Sequence, residues 1–159
     1  MSTMKKLFSA ASGILLAASL AVATPVSVFA NEPQITPASY VDSSYSFNFN
    51  GWFQRANTAW RSKDTTKSTY LHVVSTSSTS MKLYVDGAYD SGGSGYANLT
   101  NGGYVWSPGP GKYEIHNTVR ESGRTWARLG ASSDRGASSL NGWWSPDCRG
   151  SYTDLNGLV

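Results

Sequence analysis

The chain has 159 residues and a formal net charge of +3, but Lys5 and Lys6 lie within its first thirty residues, so the remaining 129 residues carry a charge of +1. A remainder of that length is the size of one domain and too short for two independent domains. Its near-neutral charge argues against non-specific nucleic-acid binding, which needs several clustered phosphate contacts, and against a cationic membrane-lytic peptide.

Residues 1–30 have the pattern of a secretory signal peptide, which predicts that the protein acts outside the cytoplasm. A basic pair near the start is followed by a stretch, 7–23, that is almost wholly apolar or small. Val28 and Ala30 fit the −3 and −1 positions of a signal peptidase site. We therefore expect a helical segment over 1–30 that is removed by cleavage between Ala30 and Asn31.

The remainder of the chain carries no sign of an anchor. No cysteine directly follows the apolar segment, and no second apolar run of about 18 residues is present. We expect no stable membrane anchor in the mature form and release into the medium, with association at the cell surface as the alternative. Cys148 is the only cysteine, so no internal disulfide can form. A single cysteine in a secreted chain indicates a free thiol or a disulfide-linked dimer, and a small buried residue is the alternative.

The first β pattern follows an extended leader over 31–42, which holds two prolines. Tyr45, Phe47 and Phe49 alternate with polar residues and predict a strand with one aromatic face. An Asn-Gly turn signal ends this strand. The whole of 43–159 is assigned to one β domain.

Shorter strand patterns follow, separated by turns rich in Gly, Pro, Ser and Thr. Residues 52–60 fit either a short helical turn or a second strand, whereas 69–75 and 81–86 indicate strands. Segments 112–120 and 124–131 are predicted to pair as a hairpin across a tight turn.

The last short strand contains adjacent Trp143 and Trp144, which cannot both point inward, so one is expected to face the core and the other solvent. Trp126 is expected to belong to the core. Seven or so short strands without an amphipathic helix predict an all-β fold. The expected architecture is a single antiparallel β-sandwich, with a small β-barrel as the alternative.

Aromatic residues give the strongest functional signal, because all 6 Trp and 9 Tyr lie after residue 30. Trp52, Trp106, Trp143 and Trp144 lie beside predicted turns. Loop aromatics on a rigid β scaffold can stack on the apolar face of a sugar ring, so these four are the hypothetical ligand-binding residues. In the alternative interpretation they cap the ends of the sandwich.

Histidine and cysteine are too few to predict a catalytic or metal site. Two scattered histidines, His72 and His116, and one cysteine do not provide the three or four ligands that zinc requires. A triad of Cys148, His116 and Asp147 can be drawn, but adjacent Asp147 and Cys148 are a poor geometry for it.

Acidic residues support structural roles better than catalysis. Glu114 and Glu121 are the only glutamates of the β region available for glycoside hydrolysis, and solvated or salt-linked roles are favoured for both. Calcium is conceivable near Asp86 and Asp90, but an ordinary polar loop is favoured. We therefore predict no enzyme, no catalytic residue, no cofactor and no metal. A small hydrolase that uses Glu114, Glu121, His116 or Cys148 is the least favoured alternative.

Three segments resemble a known family: 61–64 leading into 70–73, then 115–123, then Trp144-Ser145-Pro146-Asp147. They are similar to a family of small secreted proteins of Gram-positive bacteria that is catalogued as a domain of unknown function. The chain is also loosely similar to lactococcin-type bacteriocins. The family brings no established activity, and the second resemblance implies an antagonistic role.

Residues of these segments have structural interpretations of their own. Arg120, Glu121 and Arg124 are expected to brace the predicted hairpin by cross-strand ion pairs. In the segment from Trp144 to Asp147, Pro146 fixes the backbone after a strand, and a Ser or Asp side chain caps the turn. That segment is interpreted as a structural closure of the sandwich.

The sequence therefore favours a secreted, non-enzymatic β-sandwich that binds cell-wall or other surface glycan through loop aromatics and does not bind nucleic acid. The alternatives are a bacteriocin-like intercellular effector and, least favoured, the hydrolase.

Overall fold

Strands provide nearly all the regular structure in the part of the chain described by the computed structural model, residues 38–134 and 136–158. These residues belong to one compact unit and contain no α-helix, only short 3-10 turns at Ala38–Tyr40 and Asn156–Leu158. The predicted signal peptide, its cleavage site between Ala30 and Asn31, and most of the leader lie outside the described residues. Within residues 38–134 and 136–158, no helix is long and apolar enough to cross a membrane.

The strands follow one another closely along the chain. In order they are β1 (Ser43–Phe49), β2 (Gln54–Asn57), β3 (Arg61–Ser62), β4 (Thr69–Thr76), β5 (Lys82–Ala88), β6 (Ala97–Asn98), β7 (Val105–Trp106), β8 (Gly111–Ile115), β9 (Trp126–Ser133), β10 (Ser138–Ser145) and β11 (Thr153–Asp154).

Two separate sheets are formed. The first has the order β1-β10-β4-β8-β11, with all neighbours antiparallel except the β8–β11 pair. The second has the order β2-β9-β5-β6, with β3 also on β9 and β7 also on β5. Because the sheets do not close on each other, the architecture is a β-sandwich, as predicted, and the barrel alternative is wrong.

The core lies between the sheets and follows strand alternation. Tyr45, Phe47 and Phe49 all face inward from β1, which confirms the predicted aromatic face. Leu83 and Val85 of β5 meet them in one hydrophobic cluster from the second sheet. Burial of each such side chain contributes about 1.5–3 kcal/mol relative to exposure, so this cluster is the main source of stability.

The predicted hairpin over 112–131 does not form. β8 lies in the first sheet and β9 in the second, so the connection between them crosses the sandwich. Asn117 is buried and donates to the carbonyl oxygen of Ile115 and to the hydroxyl of Thr69, at 3.1 Å each. Val119 is fully buried in the core cluster. These contacts lead the chain across the core instead of turning it back beside β8.

Two further predictions about individual elements are resolved by the strands. The ambiguous segment 52–60 contains a strand, β2, and no helical turn. Trp126 lies on the outer side of β9, since Ala127 and Leu129 occupy the inner side. It is therefore only half-buried, contrary to its assignment to the core.

Candidate functional site

The four tryptophans predicted to bind ligand do not meet at one surface. Trp144 is 1% exposed and belongs to the core, so its assignment as a ligand-binding residue is wrong. Strand alternation turns its neighbour Trp143, 47% exposed, to the outer face of the first sheet. Trp106 is on the outer face of the second sheet, opposite Lys82. Trp52 is exposed in a turn beside Phe53.

The outer face of the second sheet instead gathers a cluster that the sequence did not predict. Strand register places Asp86 opposite Arg128 and Tyr84 opposite Gly130. On the other side of β9, register places Arg55 opposite Ser132. Because alternate residues of paired strands share a face, these side chains lie side by side.

Asp86 is the electrostatic centre of this cluster, and its carboxylate is fully buried. Arg55 Nη2 donates to both carboxylate oxygens, at 2.9 and 3.2 Å. Arg128 Nε donates to Oδ2 at 3.0 Å, and Arg128 Nη2 forms an ion pair with the same oxygen at 2.9 Å. Two guanidinium groups therefore share one carboxylate, and one positive charge is left over at the surface.

Aromatic rings hold both guanidinium groups in place. The Arg128 guanidinium carbon lies 4.4 Å from the ring centroid of Trp60 and 4.9 Å from that of Tyr96. The Arg55 guanidinium carbon lies 4.1 Å from the ring centroid of Tyr84. Each such cation–π contact is worth about 0.5–2 kcal/mol, depending on how far it is desolvated. Arg128 is thus in contact with two rings, which also contact each other at 6.3 Å between centroids, while it is bonded to Asp86.

Close packing beneath Tyr84 fixes the position of its ring. A Cβ atom at Gly130 would collide with the Tyr84 ring, so only glycine fits on β9 at this point. The Tyr84 hydroxyl donates to the carbonyl oxygen of Ala131 at 3.0 Å. Burial raises the pKa of Tyr84 to about 12, which keeps the hydroxyl a donor at neutral pH.

The same face continues at both ends of the cluster. Lys82 forms a 2.5 Å ion pair with Asp134, which raises the pKa of Lys82, and its Nζ lies 5.0 Å from the ring centroid of Tyr104. Trp106 contacts Tyr104 edge-to-face at 5.3 Å between ring centroids. At the other end, the Arg124 guanidinium lies over the exposed ring of Tyr89, at 4.8 Å. We call the whole surface the cationic aromatic face; it consists of Arg55, Trp60, Lys82, Tyr84, Asp86, Tyr89, Tyr96, Tyr104, Trp106, Arg124, Arg128 and Asp134.

A second group of polar residues lines an open cavity of about 490 Å³ at the end of the first sheet. His116 Nδ1 lies 3.0 Å from Ser68 Oγ, and His116 Nε2 lies 3.3 Å from a carboxylate oxygen of Asp154 and 3.9 Å from one of Glu114. Cys148 lines the same cavity. The structure therefore brings together three of the four hypothetical hydrolase residues. The fourth, Glu121, is exposed in the connection before β9 and does not line this cavity.

Cys148 has the properties of a buried structural thiol. Burial, followed by the nearby Glu114, raises its pKa to about 12, so it is protonated at neutral pH and is a poor nucleophile. Because the side chain is buried, a disulfide to a second copy would require the chain to open locally. The disulfide-linked dimer stays a prediction.

Asp147, in the segment from Trp144 to Asp147, is joined to a buried lysine. The three N–H groups of Lys63 Nζ match three acceptors: the carbonyl oxygens of Lys67 at 2.5 Å and Pro146 at 2.8 Å, and Asp147 Oδ1 at 2.8 Å. The other carboxylate oxygen accepts from the backbone N–H groups of Asp64 at 2.9 Å and Thr65 at 3.2 Å.

The buried pair is ionised despite its burial. Burial alone would lower the pKa of Lys63 and raise that of Asp147. The hydrogen bonds outweigh burial at Asp147 and hold its pKa below the ordinary carboxyl range. Lys63 remains an ammonium because each of its three N–H groups has an acceptor.

Neither the ion pairs predicted for the hairpin nor a calcium site, the less favoured interpretation of Asp86 and Asp90, is present among the described residues. Within residues 38–134 and 136–158, no ion pair joins Arg120, Glu121 and Arg124, because the hairpin that they were expected to brace does not form. Asp86 is occupied by its arginines. Asp90 accepts from the backbone N–H groups of its own loop, so the two do not combine into a calcium site. The described residues include no group of three or more His, Cys, Asp or Glu side chains able to hold a metal.

Comparison with known proteins gives one match. A family model described as "Protein of unknown function (DUF2712)" matches residues 26–148. No curated protein and no solved structure matches the chain.

Proposed function

The chain belongs to DUF2712, a family of proteins of unknown function, and we propose that this protein is a secreted, non-enzymatic binder of cell-surface glycan. The observation that supports this proposal best is Arg128, which contacts the rings of Trp60 and Tyr96 on an open sheet face. The cationic aromatic face is the proposed binding surface.

A sugar needs two kinds of contact, and this face offers both. The face of a pyranose ring is apolar and packs on an aromatic ring, whereas its hydroxyl groups need hydrogen-bond partners. Tyr89, Tyr96 and Trp106 are exposed and available for stacking. Arg55 and Arg128 supply N–H donors held by Asp86. Because Asp86 and the rings already hold these groups, little side-chain freedom is lost on binding.

Secretion is the second part of the proposal and rests on the signal-peptide pattern of residues 1–30. We expect the protein in the culture medium or at the cell surface, with Asn31 as its first residue. Fractionation of producing cells and N-terminal sequencing of the exported form test this. Retention of the full chain in the cytoplasm would contradict it.

Retention of the purified protein on cell-wall material and on immobilised polysaccharides tests the binding surface. We expect Trp60→Ala and Tyr96→Ala to weaken retention at least tenfold, because each removes one of the two rings that contact Arg128. Trp143→Ala is the matched control, since it removes an exposed tryptophan from the opposite sheet. The proposal fails if the wild-type protein is not retained, or if Trp60→Ala and Tyr96→Ala are retained as strongly as Trp143→Ala. Circular dichroism establishes that each variant is folded.

A hydrolase is the second candidate, and one observation favours it: His116 lies between Ser68 and the carboxylate of Asp154. This arrangement gives a hydroxyl nucleophile, a base and an orienting group, which hydrolysis by acyl transfer requires. Turnover of a nitrophenyl ester that is lost in Ser68→Ala and in His116→Ala would support it. Equal rates for the wild type and Ser68→Ala would dismiss it. The bacteriocin-like role stays a prediction, which growth inhibition of related strains by the purified protein would test.

A further inference from the structure

On the basis of the proposed function, we propose that the ligand of the cationic aromatic face is an anionic glycan. Such a glycan carries carboxylate or phosphodiester groups between its sugar rings. The proposal assigns Arg55 as the residue that binds the anionic group and Arg128 as a residue that positions the aromatic rings around it.

The charges of the face do not balance. The single carboxylate of Asp86 is shared by Arg55 and Arg128, and Lys82 is neutralised by Asp134. Arg124 donates to neutral acceptors, the carbonyl oxygen of Gly95 at 3.0 Å and the hydroxyl of Ser122 at 3.1 Å. Two positive charges therefore remain uncompensated on a surface whose other exposed groups are largely aromatic.

The two guanidinium groups at Asp86 differ in their exposure and in which N–H groups remain available to a ligand. Arg128 is 17% exposed and uses both Nε and Nη2 on the carboxylate. Arg55 is 48% exposed and uses Nη2 alone. Among the described residues, the Tyr84 hydroxyl is the other hydrogen-bonding side chain beside this guanidinium, and no carboxylate accepts from its Nε or Nη1. Unused N–H groups of a planar guanidinium match the paired oxygens of a carboxylate or a phosphate.

Arg55 is also held before any ligand arrives. Asp86 fixes one edge of its guanidinium and Tyr84 supports its flat side at 4.1 Å. Tyr84 in turn is held over Gly130. An anion that binds there therefore does not have to immobilise a free arginine side chain, which would weaken binding.

A glycan fits these observations better than a nucleic acid does. The chain after residue 30 has a formal charge of +1, and two uncompensated charges are few beside the 6–10 phosphate contacts typical of DNA-binding proteins. A polymer of sugars with sparse negative charges needs only one or two such contacts, and its rings use the exposed aromatic side chains.

The test compares polymers of sugar rings with and without negative charge. Polygalacturonate carries carboxylates, its carboxyl-reduced form is the same chain without them, and a phosphomannan carries phosphodiesters between its sugar rings. We expect at least one of the two anionic polymers to bind tenfold or more tightly than the reduced, neutral polymer, and to bind more weakly as salt rises from 50 to 200 mM. The tighter of the two anionic polymers identifies the anionic group.

Arg55→Gln is the decisive variant, because it removes the charge at a half-exposed position. We expect it to weaken binding of the anionic polymer about tenfold more than it weakens binding of the neutral polymer, which loses only hydrogen bonds to its hydroxyl groups. Arg55→Lys, which keeps the charge but loses the planar fork, should fall between. Lys112→Gln is the matched control, because it removes an exposed cation from the first sheet. Thermal unfolding of each variant separates loss of binding from loss of structure.

The outcomes distinguish this inference from the proposed function. Equal binding of neutral and anionic polymers, unaffected by Arg55→Gln, would overturn the anionic assignment and leave glycan binding intact. Failure of every polymer and of cell-wall material to bind would overturn both. Binding of poly(dT) as tight as that of the anionic glycans would overturn the choice of a glycan.

Discussion

Asp147 and Asp86 are both fully buried carboxylates bonded to cations, but they are built for opposite purposes. Asp147 and Lys63 both have 0% exposed side chains, and the hydrogen-bonding capacity of the lysine is used up inside the protein. Asp86 is equally buried, but its two partners reach the surface. The first arrangement joins the segment after β10 to the loop before β4, and the second supports the cationic aromatic face, which is the proposed binding surface.

Comparison of the two aspartates separates an ion pair that only stabilises the fold from one that lies at the proposed binding surface. A structural pair is complete: charges cancel and every N–H group has an acceptor. The cluster at Asp86 is incomplete in both respects, because one positive charge is left over and, among the described residues, no carboxylate accepts from Nε or Nη1 of Arg55. Burial of the carboxylate alone does not separate the two cases. The exposure of its partners does.

The largest effect should come from Lys63→Met, which leaves the Asp147 carboxylate buried without its cation. Loss of one partner of a buried pair costs about 3–5 kcal/mol, and we expect that decrease in the free energy of unfolding in urea. Lys112→Met, at an exposed lysine, is the control and should change it by less than about 0.5 kcal/mol. The double variant Lys63→Met/Asp147→Leu should recover part of the loss, because no unpaired charge remains. A loss no greater than that of the control would show that the pair is not structural.

Asp86→Asn should cost less, about 1–3 kcal/mol, because it weakens hydrogen bonds to charged groups while water can still solvate the half-exposed Arg55. The same urea titration measures it. A loss equal to that of Lys63→Met would remove the distinction between the two aspartates. Retention on anionic glycan should fall as well, since Arg55 and Arg128 lose their common anchor.

Acid should remove the stability that the buried Lys63–Asp147 pair contributes, and this loss should be smaller and pH-dependent. Although burial acts to raise the pKa of Asp147, the hydrogen bonds from Lys63, Asp64 and Thr65 lower it overall. The pair therefore contributes stability that is complete above the unfolded carboxyl pKa of about 4 and is lost as pH falls through the lower folded value. We expect the slope of unfolding free energy against pH below 4 to be shallower in Lys63→Met than in the wild type. Identical slopes would contradict the lowered pKa.

The smallest effect is expected at Cys148, which follows Asp147 of the buried pair in the sequence. Since burial and Glu114 raise its pKa to about 12, a thiol reagent at pH 8 should leave the native protein unlabelled and label the urea-unfolded protein completely. A non-reducing gel of the native protein tests the predicted disulfide-linked dimer, which burial of the thiol disfavours. Rapid labelling of the folded protein would mean that this end of the sandwich opens, and it would support the dimer.

The strands were predictable where one face of the chain is uniformly apolar. Tyr45, Phe47 and Phe49 alternate without interruption, and the adjacency of Trp143 and Trp144 correctly predicts one inside and one outside, although not which. The hairpin over 112–131 was mispredicted because a local turn signal outweighed a contact that is not local, the burial of Asn117 against Thr69.

The candidate site was less predictable than the fold. Arg55, Asp86 and Arg128 lie far apart in sequence, and only the register of three strands brings them together. The alternation of β5 did place Lys82, Tyr84 and Asp86 on one side. It could not show that this outer side is covered by arginines and rings, because pairing between distant strands leaves no local signal.

The strand order of the first sheet has a consequence for the proposed export of the chain. No two neighbours in β1-β10-β4-β8-β11 are consecutive in the sequence. Because β1 pairs with β10, Phe47 cannot pair until Leu140 is available. Proteins dominated by such distant pairings fold in about milliseconds to seconds, because the entropy lost in closing long loops comes before the stabilising contacts form. A chain that emerges N-terminus first therefore cannot complete this sheet until nearly all of it has been delivered. For the proposed export, that delay would keep the chain unfolded, as transport through a narrow channel requires.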